Sequence, residues 1–270
     1  MPRLFHLPGS AGSKVPDENL WLQYGFCACV QWAMRSWLLV VLGGCGFDLR
    51  LTAATGDAAL DEEGLPISDG SPGTEPVAAF VCPTDAALRA CYAFENTTSD
   101  GSSYRNDAVA TSASYAIGHD GLGKALVTTA GTISVGNTTS LDIASFTIKL
   151  WIRANVLPTG GARAGLVDSG GRFRLFVQSG GALRCAITGG TDLTSGTNVV
   201  DANAWRRVAC TFTGTQMRIY VDGTMVASSN VASTIPTTGG GMVIGHNNPS
   251  GENFNGAIDE LQLWSSIVAP

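Results

Sequence analysis

The chain has 270 residues, a formal net charge of −6, 34 glycines and only 14% charged side chains. That length holds one β-sandwich of ordinary size with appendages, and enough chain to bury a core. The acidic balance removes the electrostatic ground for a nucleic-acid partner, and no long amphipathic helical stretch competes with the short, glycine-punctuated apolar runs. Residues 1–33 carry no clear periodicity and read as an unstructured leader or an artefact of the gene start. Their Cys27-Ala28-Cys29 pair lacks the second half that a metal site needs.

Met34-Arg35 then leads into Ser36-Trp37-Leu38-Leu39-Val40-Val41-Leu42-Gly43-Gly44-Cys45. A positive residue, a short apolar run and small residues before a cysteine follow the plan of a secretory signal over 34–45. The last four residues resemble the lipobox of bacterial lipoproteins. That resemblance implies lipidation of Cys45, a membrane anchor and an extracytoplasmic place on the cell envelope, with free secretion as the alternative. The apolar run is far below the roughly 20 residues of a spanning helix. The competing reading is an ordinary buried cysteine after a fortuitous apolar run. Residues 46–78 follow as a linker, in which seven carboxylates from Asp48 to Glu75 oppose only Arg50, and Pro66, Pro72 and Pro76 interrupt regular structure. Such a segment cannot bury enough surface to offset its ordering entropy and is expected to be a disordered tether.

The domain proper is expected over 79–270. Cys82 and Cys91 bracket a short Pro-Thr-Asp loop before the first strand, and Cys185 and Cys210 fall in two strands predicted over 183–188 and 206–212. We expect disulfides Cys82–Cys91 and Cys185–Cys210, hence an oxidising compartment. Four cysteines allow three pairings, and four reduced thiols are the alternative. In 146–153, Phe146, Ile148, Leu150 and Ile152 alternate with Thr147, Lys149, Trp151 and Arg153. In 172–178, Phe173, Leu175 and Val177 alternate with Arg172, Arg174, Phe176 and Gln178, and in the strand before Asp222-Gly223, Met217, Ile219 and Val221 alternate with Arg218 and Tyr220. Each strand offers an aliphatic face to a core and an aromatic-basic face opposite. Asp222-Gly223 suits a type I′ hairpin leading into a further strand from Thr224.

Six pieces in order resemble the laminin G-like, concanavalin A-like jelly rolls: Cys91-Tyr92-Ala93-Phe94-Glu95, Gly123-Lys124-Ala125-Leu126, Phe146 to Ile152, Trp205 to Gly223, Met242 to Gly245, and Phe254 to Glu260. The resemblance spans roughly residues 85–268. It implies an all-β, two-sheet antiparallel sandwich, and a fold that hosts binding modules, adhesion domains and glycosidases alike.

If the three alternating strands are neighbours, Trp151, Phe176 and Tyr220 with Lys149, Arg153, Arg174 and Arg218 form one aromatic-basic surface suited to carbohydrate, an acidic one included. The bland alternative is a solvated sheet face with arginine stems lying over the rings. The β-glucanases of this fold draw their carboxylates from a Glu-x-Asp-x-Glu strand, which does not occur here. Asp259 and Glu260 are adjacent and so point to opposite sides of a regular strand, with Asp259 on the side of Leu261 and Leu263 as a buried acceptor or metal ligand. His119 and His246 lie in glycine-rich turns and read as solvent-facing; Gly-x-Ser-x-Gly and His-Glu-x-x-His are absent. The family resemblance further implies a structural calcium, for which Asn96, Asp100, Asp107 and Asp259 are the oxygen donors at hand. The expected function is a non-catalytic binding or adhesion module for cell-surface or matrix carbohydrate. The alternative is a protein-interaction or envelope-structural domain, with a glycosidase or polysaccharide lyase behind both.

Overall fold

The computed structural model describes residues 80–270 except 130, 191, 249 and 250. The expected leader, signal with Cys45 and linker lie outside the described residues. Fifteen strands follow in order: β1 (Leu88–Tyr92), β2 (Ala108–Ala110), β3 (Ser114–Ile117), β4 (Lys124–Val127), β5 (Ile133–Val135), β6 (Phe146–Ala154), β7 (Arg163–Ser169), β8 (Phe173–Gln178), β9 (Leu183–Ile187), β10 (Leu193–Thr194), β11 (Trp205–Phe212), β12 (Gln216–Val221), β13 (Thr224–Asn230), β14 (Met242–Ile244) and β15 (Gly256–Trp264). They form two antiparallel sheets. The first runs β13-β12-β11-β6-β15-β4-β3, with β1 also paired to β15; the second runs β10-β9-β8-β7-β14-β5-β2.

The alternation read from the sequence explains the packing. Phe146, Ile148, Leu150 and Ile152 from β6, Met217 and Ile219 from β12, and Phe173, Leu175 and Val177 from β8 enter one core between the sheets, each at most 1% exposed. Phe146 is its centre, with ring centroids 4.7 Å from Phe173 of the opposite sheet and 5.9 Å from Phe212 of β11. Burying apolar side chains on both inner faces is what joins two such sheets. Asp222 and Gly223 both take positive φ, 50° and 78°, as a type I′ turn requires.

Both expected disulfides are present. Cys82–Cys91 ties the segment ahead of β1 onto that strand, and Cys185–Cys210 joins β9 of the second sheet to β11 of the first through the core. A smaller cluster of Leu88, Cys91 and Trp264, flanked by Phe80, Cys82, Ala87 and Val268, packs where the first and last strands meet.

The feature that positions the site is the edge of β15. Its first half pairs with β4 through Ala257 and Ile258, and its second half pairs with β1 from Leu261 onward. Between them the register with β6 slips, from Asp259 opposite Trp151 to Gln262 opposite Lys149, and Glu260 takes φ 46°. This is a β-bulge, in which one extra residue reverses the alternation. Beyond it Leu261 and Leu263 face the core, while Asp259 lies with Gln262 and Trp264 in register with the outward residues of β6. The expected placement of Asp259 on the side of Leu261 and Leu263 is therefore corrected: strict alternation does not survive the bulge.

Candidate functional site

Strand register assembles the outer face of the first sheet. Arg153 stands opposite Trp205, Trp151 opposite Arg207, Lys149 opposite Ala209, and Ala209 in turn opposite Tyr220. Trp151, Tyr220, Lys149, Arg153 and Arg218 are thus brought together as expected, all half-buried. Phe176 and Arg174 are not. They belong to β8 in the second sheet, where Phe176 is fully buried under the Arg163 guanidinium, 4.6 Å from its ring, and Arg174 bonds Asp168 at 3.1 Å. Shared alternation identifies a strand's two faces but not the sheet to which it belongs.

In their place stand residues from elsewhere in the chain. The β3–β4 turn folds into the gap between β4 and β1 and lays His119 flat on Trp151, with centroids 4.2 Å apart and planes inclined by 16°. Trp205 meets His119 edge-on at 6.3 Å, and the Arg153 guanidinium lies 5.3 Å over the Trp205 ring. Asp259 holds the turn. Its Oδ2 accepts the His119 backbone N–H at 3.0 Å and contacts Nδ1 at 3.1 Å, while its Oδ1 accepts the Glu260 N–H at 2.9 Å. The approach is close enough that a Cβ on Gly118 would stand 2.9 Å from Asp259 Oδ2, so only glycine fits there without displacement. His119 is accordingly not a free turn histidine; its side chain is 16% exposed.

Glu260 is on the same side, its Oε1 3.8 Å from His119 Nδ1. Burial pushes its pKa above the ordinary 4.5, and the nearby carboxylates of Asp259 and Asp120 add to the rise, against lowering by His119 and Arg207. Burial likewise pulls Lys149 down, and the neighbouring Arg207 pulls it further. A carboxyl whose folded pKa is raised favours the fold fully below its unfolded value and loses that contribution as pH rises through the folded one. Glu260→Gln is therefore expected to melt above the parent protein at pH 7. The two melting curves should converge by about pH 3.5, as calorimetry across that range would show.

The residues considered for calcium divide into two places. Asp100 and Asp107 share a loop beside β1. Asp100 accepts the N–H groups of Cys91, Ser102 and Asn106 and the Ser102 hydroxyl, and Asp107 accepts the Asp100 N–H. Asn96, at φ 56°, is exposed at the head of that loop. Asp259 belongs instead to the His119 turn. Among the described residues no group of three or more His, Cys, Asp or Glu side chains is placed to hold a metal ion.

Trp205 and Arg207 were within reach of the sequence, since they alternate in β11 with the core residues Val208, Cys210 and Phe212. His119 was not: its carboxylate partner lies 140 residues away.

Residues 127–269 match the sequence family described as the concanavalin A-like lectin/glucanases superfamily. A comparison with curated protein sequences gives no match. Among solved structures, the binding domain of Paraclostridial Mosquitocidal Protein 1 superposes with a TM-score of 0.57 at 17% identity, covering 67% of this chain and 49% of that one. The binding domain of Botulinum Neurotoxin DC in complex with SialylT gives 0.52 at 16% identity, covering 68% and 49%. The chain thus spans about half the length of these toxin binding domains. Domain 4 of AbnA, a GH43 extracellular arabinanase from Geobacillus stearothermophilus, in complex with arabinotriose, gives 0.52 at 18% identity over 66% of this chain and 91% of that domain. At these identities the likeness is one of fold.

Proposed function

Starting from the fact that the chain belongs to the concanavalin A-like lectin/glucanases superfamily, we propose that it is a non-catalytic module that binds carbohydrate on the outer face of its first sheet, displayed outside the cytoplasm. The observation that carries this reading is the joining of Trp151, Trp205, His119 and Tyr220 with Lys149, Arg153 and Arg207 on one half-buried face. Aromatic rings give sugar rings a flat apolar support, and guanidinium groups reach hydroxyl and carboxylate oxygens with a rigid fork. His119 covers one face of Trp151 and the Arg153 guanidinium lies over the Trp205 ring, so a sugar would meet both indoles where these side chains leave them open. The sugars named with two of the similar folds, arabinotriose and SialylT, are in keeping with this.

A hydrolytic role is disfavoured by the state of Asp259. It is 4% exposed and both its oxygens are engaged by donors of its own domain, so it has no freedom to act on a glycosidic bond. Two disulfides suit an oxidising compartment, and the lipobox-like run ending at Cys45 supports anchorage to a cell envelope. The alternative, a protein-interaction domain, draws on Ile117 and Leu122. These flank the His119 turn at 61% and 58% exposure.

The test is binding of the purified protein to a panel of neutral and acidic polysaccharides, with calcium and with chelator. Saturable binding is expected, weakened about tenfold or more by Trp205→Ala with the fold retained. Failure of the folded protein to bind any glycan under either condition would remove the carbohydrate reading. Dependence on calcium would direct attention to the Asp100–Asp107 loop.

A further inference from the structure

We infer that the ligand of this face is an acidic glycan, with the oxyanion of a carboxylate or sulfate seated between Lys149 and Arg207. This rests on the carbohydrate reading above and narrows it.

The argument begins with how the two sheets treat their cations. Every arginine in the strands of the second sheet holds a carboxylate: Arg163 with Glu252 at 2.6 Å, Arg174 with Asp168 at 3.1 Å, and Arg184 with Asp192. Buried Arg172, in the turn before β8, bonds Asp142 at 2.5 Å, and Arg206 at the end of β11 bonds both Asp201 and Asp222. On the outer face of the first sheet the pattern stops. Lys149, Arg153, Arg207 and Arg218 form no ion pair among the described residues. Carboxylates are not scarce, since Asp and Glu number 22 against 16 Lys and Arg. Four unneutralised cations on one face of an acidic protein leave an anion's place open.

The place can be located. Arg207 stands opposite Trp151 and Lys149 opposite Ala209, which makes the two cations diagonal neighbours on adjacent strands. Diagonal positions lie about 7–8 Å apart at their Cα atoms. The Lys149 ammonium, which donates to the Ala269 carbonyl at 3.3 Å and lies 5.7 Å over the Trp264 ring, would swing from there to close that gap with Arg207 around one small anion. The residue between Lys149 and Tyr220 across three strands is Ala209, whose methyl group leaves room for that approach. The two cations feel each other, as the lowering of Lys149 by Arg207 indicates. Glu260 is within electrostatic reach of both but pairs with neither among the described residues. A carboxylate or sulfate brought by a ligand would relieve this repulsion, and the planar Arg207 fork would bind it through two parallel hydrogen bonds. The sugar ring carrying it would then lie toward Trp151 and Trp205, each two residues along its strand from Lys149 and Arg207 respectively.

The experiment measures binding of the purified protein to polygalacturonate, dextran sulfate, neutral dextran and polyglutamate at one ionic strength. Polygalacturonate or dextran sulfate is expected to bind about tenfold or more tighter than dextran, and whichever of the two binds tighter identifies the anion. Arg207→Gln and, separately, Lys149→Gln should each weaken that binding about tenfold. Arg105→Gln, which removes an exposed charge from the 101–107 loop, should leave it unchanged. Equal affinity for dextran and both acidic glycans overturns the inference and leaves the carbohydrate reading standing. Polyglutamate binding as tightly as the acidic glycans overturns it in favour of unspecific attraction to a cationic face. A folded protein that binds none of the four would lose both readings together.

Discussion

Asp259→Ala is expected to destabilise the domain by about 3 kcal/mol and to abolish glycan binding in the same step. The carboxylate accepts the His119 backbone N–H and the Glu260 N–H and contacts the His119 ring. Truncation leaves those donors with no acceptor in a place that water barely reaches, Asp259 being 4% exposed. Each buried group left unsatisfied costs about 1–3 kcal/mol. The β3–β4 turn then loses what draws it into the gap along β15, and His119 comes away from Trp151. Denaturant unfolding of the variant, with glycan binding measured well below its midpoint, tests both halves. Asp259→Asn supplies the control: its side-chain oxygen can still accept, so it should recover part of the stability. A variant as stable as the parent would mean that the turn is held by its backbone alone.

Removing the Cys185–Cys210 bridge is expected to cost about 3.5 kcal/mol. The bond closes a loop of sequence separation 25, and the chain-entropy relation assigns roughly that value to a loop of such length. For a domain of this size the melting temperature should fall by about 10 °C. The paired substitution Cys185→Ala and Cys210→Ala is the cleaner test, because both sulfurs sit in the core at 0% exposure and a single free thiol would invite wrong pairing. The Cys82–Cys91 bridge has a separation of only 9 and lies at the margin of the sandwich, so its loss should cost less. If the two pairs of substitutions lower the melting temperature equally, loop length is not what governs the effect.

The fold was legible in the sequence because its signals are local. Period-two alternation in β6, β8 and β12 put the right residues into the core, and Asp222-Gly223 announced its hairpin through backbone requirements that two residues satisfy alone. The site was only partly legible. Trp151, Lys149, Arg153, Arg218 and Tyr220 were found by the same alternation, but Phe176 and Arg174 were assigned to the wrong surface because alternation is blind to which sheet a strand enters. Asp259 was rightly read as a buried acceptor but put on the wrong side of its strand, and His119 was taken as solvent-facing, for a related reason. Neither Asp nor Glu marks a bulge as glycine would, and the slip at Glu260 depends on two other strands, β4 and β1, sharing one edge of β15. Chemistry assembled by non-local pairing leaves little trace in any one window of sequence.

The Cys82–Cys91 bond also decides how this domain answers tension. β1 and β15 are antiparallel, with Leu88 opposite Trp264 and Cys91 opposite Gln262. A pull between the chain ahead of Cys82 and the chain beyond Trp264 would otherwise peel the pair open one rung at a time from Leu88. The disulfide delivers the load directly to Cys91 instead, bypassing residues 83–90. The rungs at Leu88 and Ala90 are then shielded, and the resisting point moves into the strand, next to the bulge that holds the His119 turn. Stress on a tethered molecule would thus be felt first beside its candidate binding face.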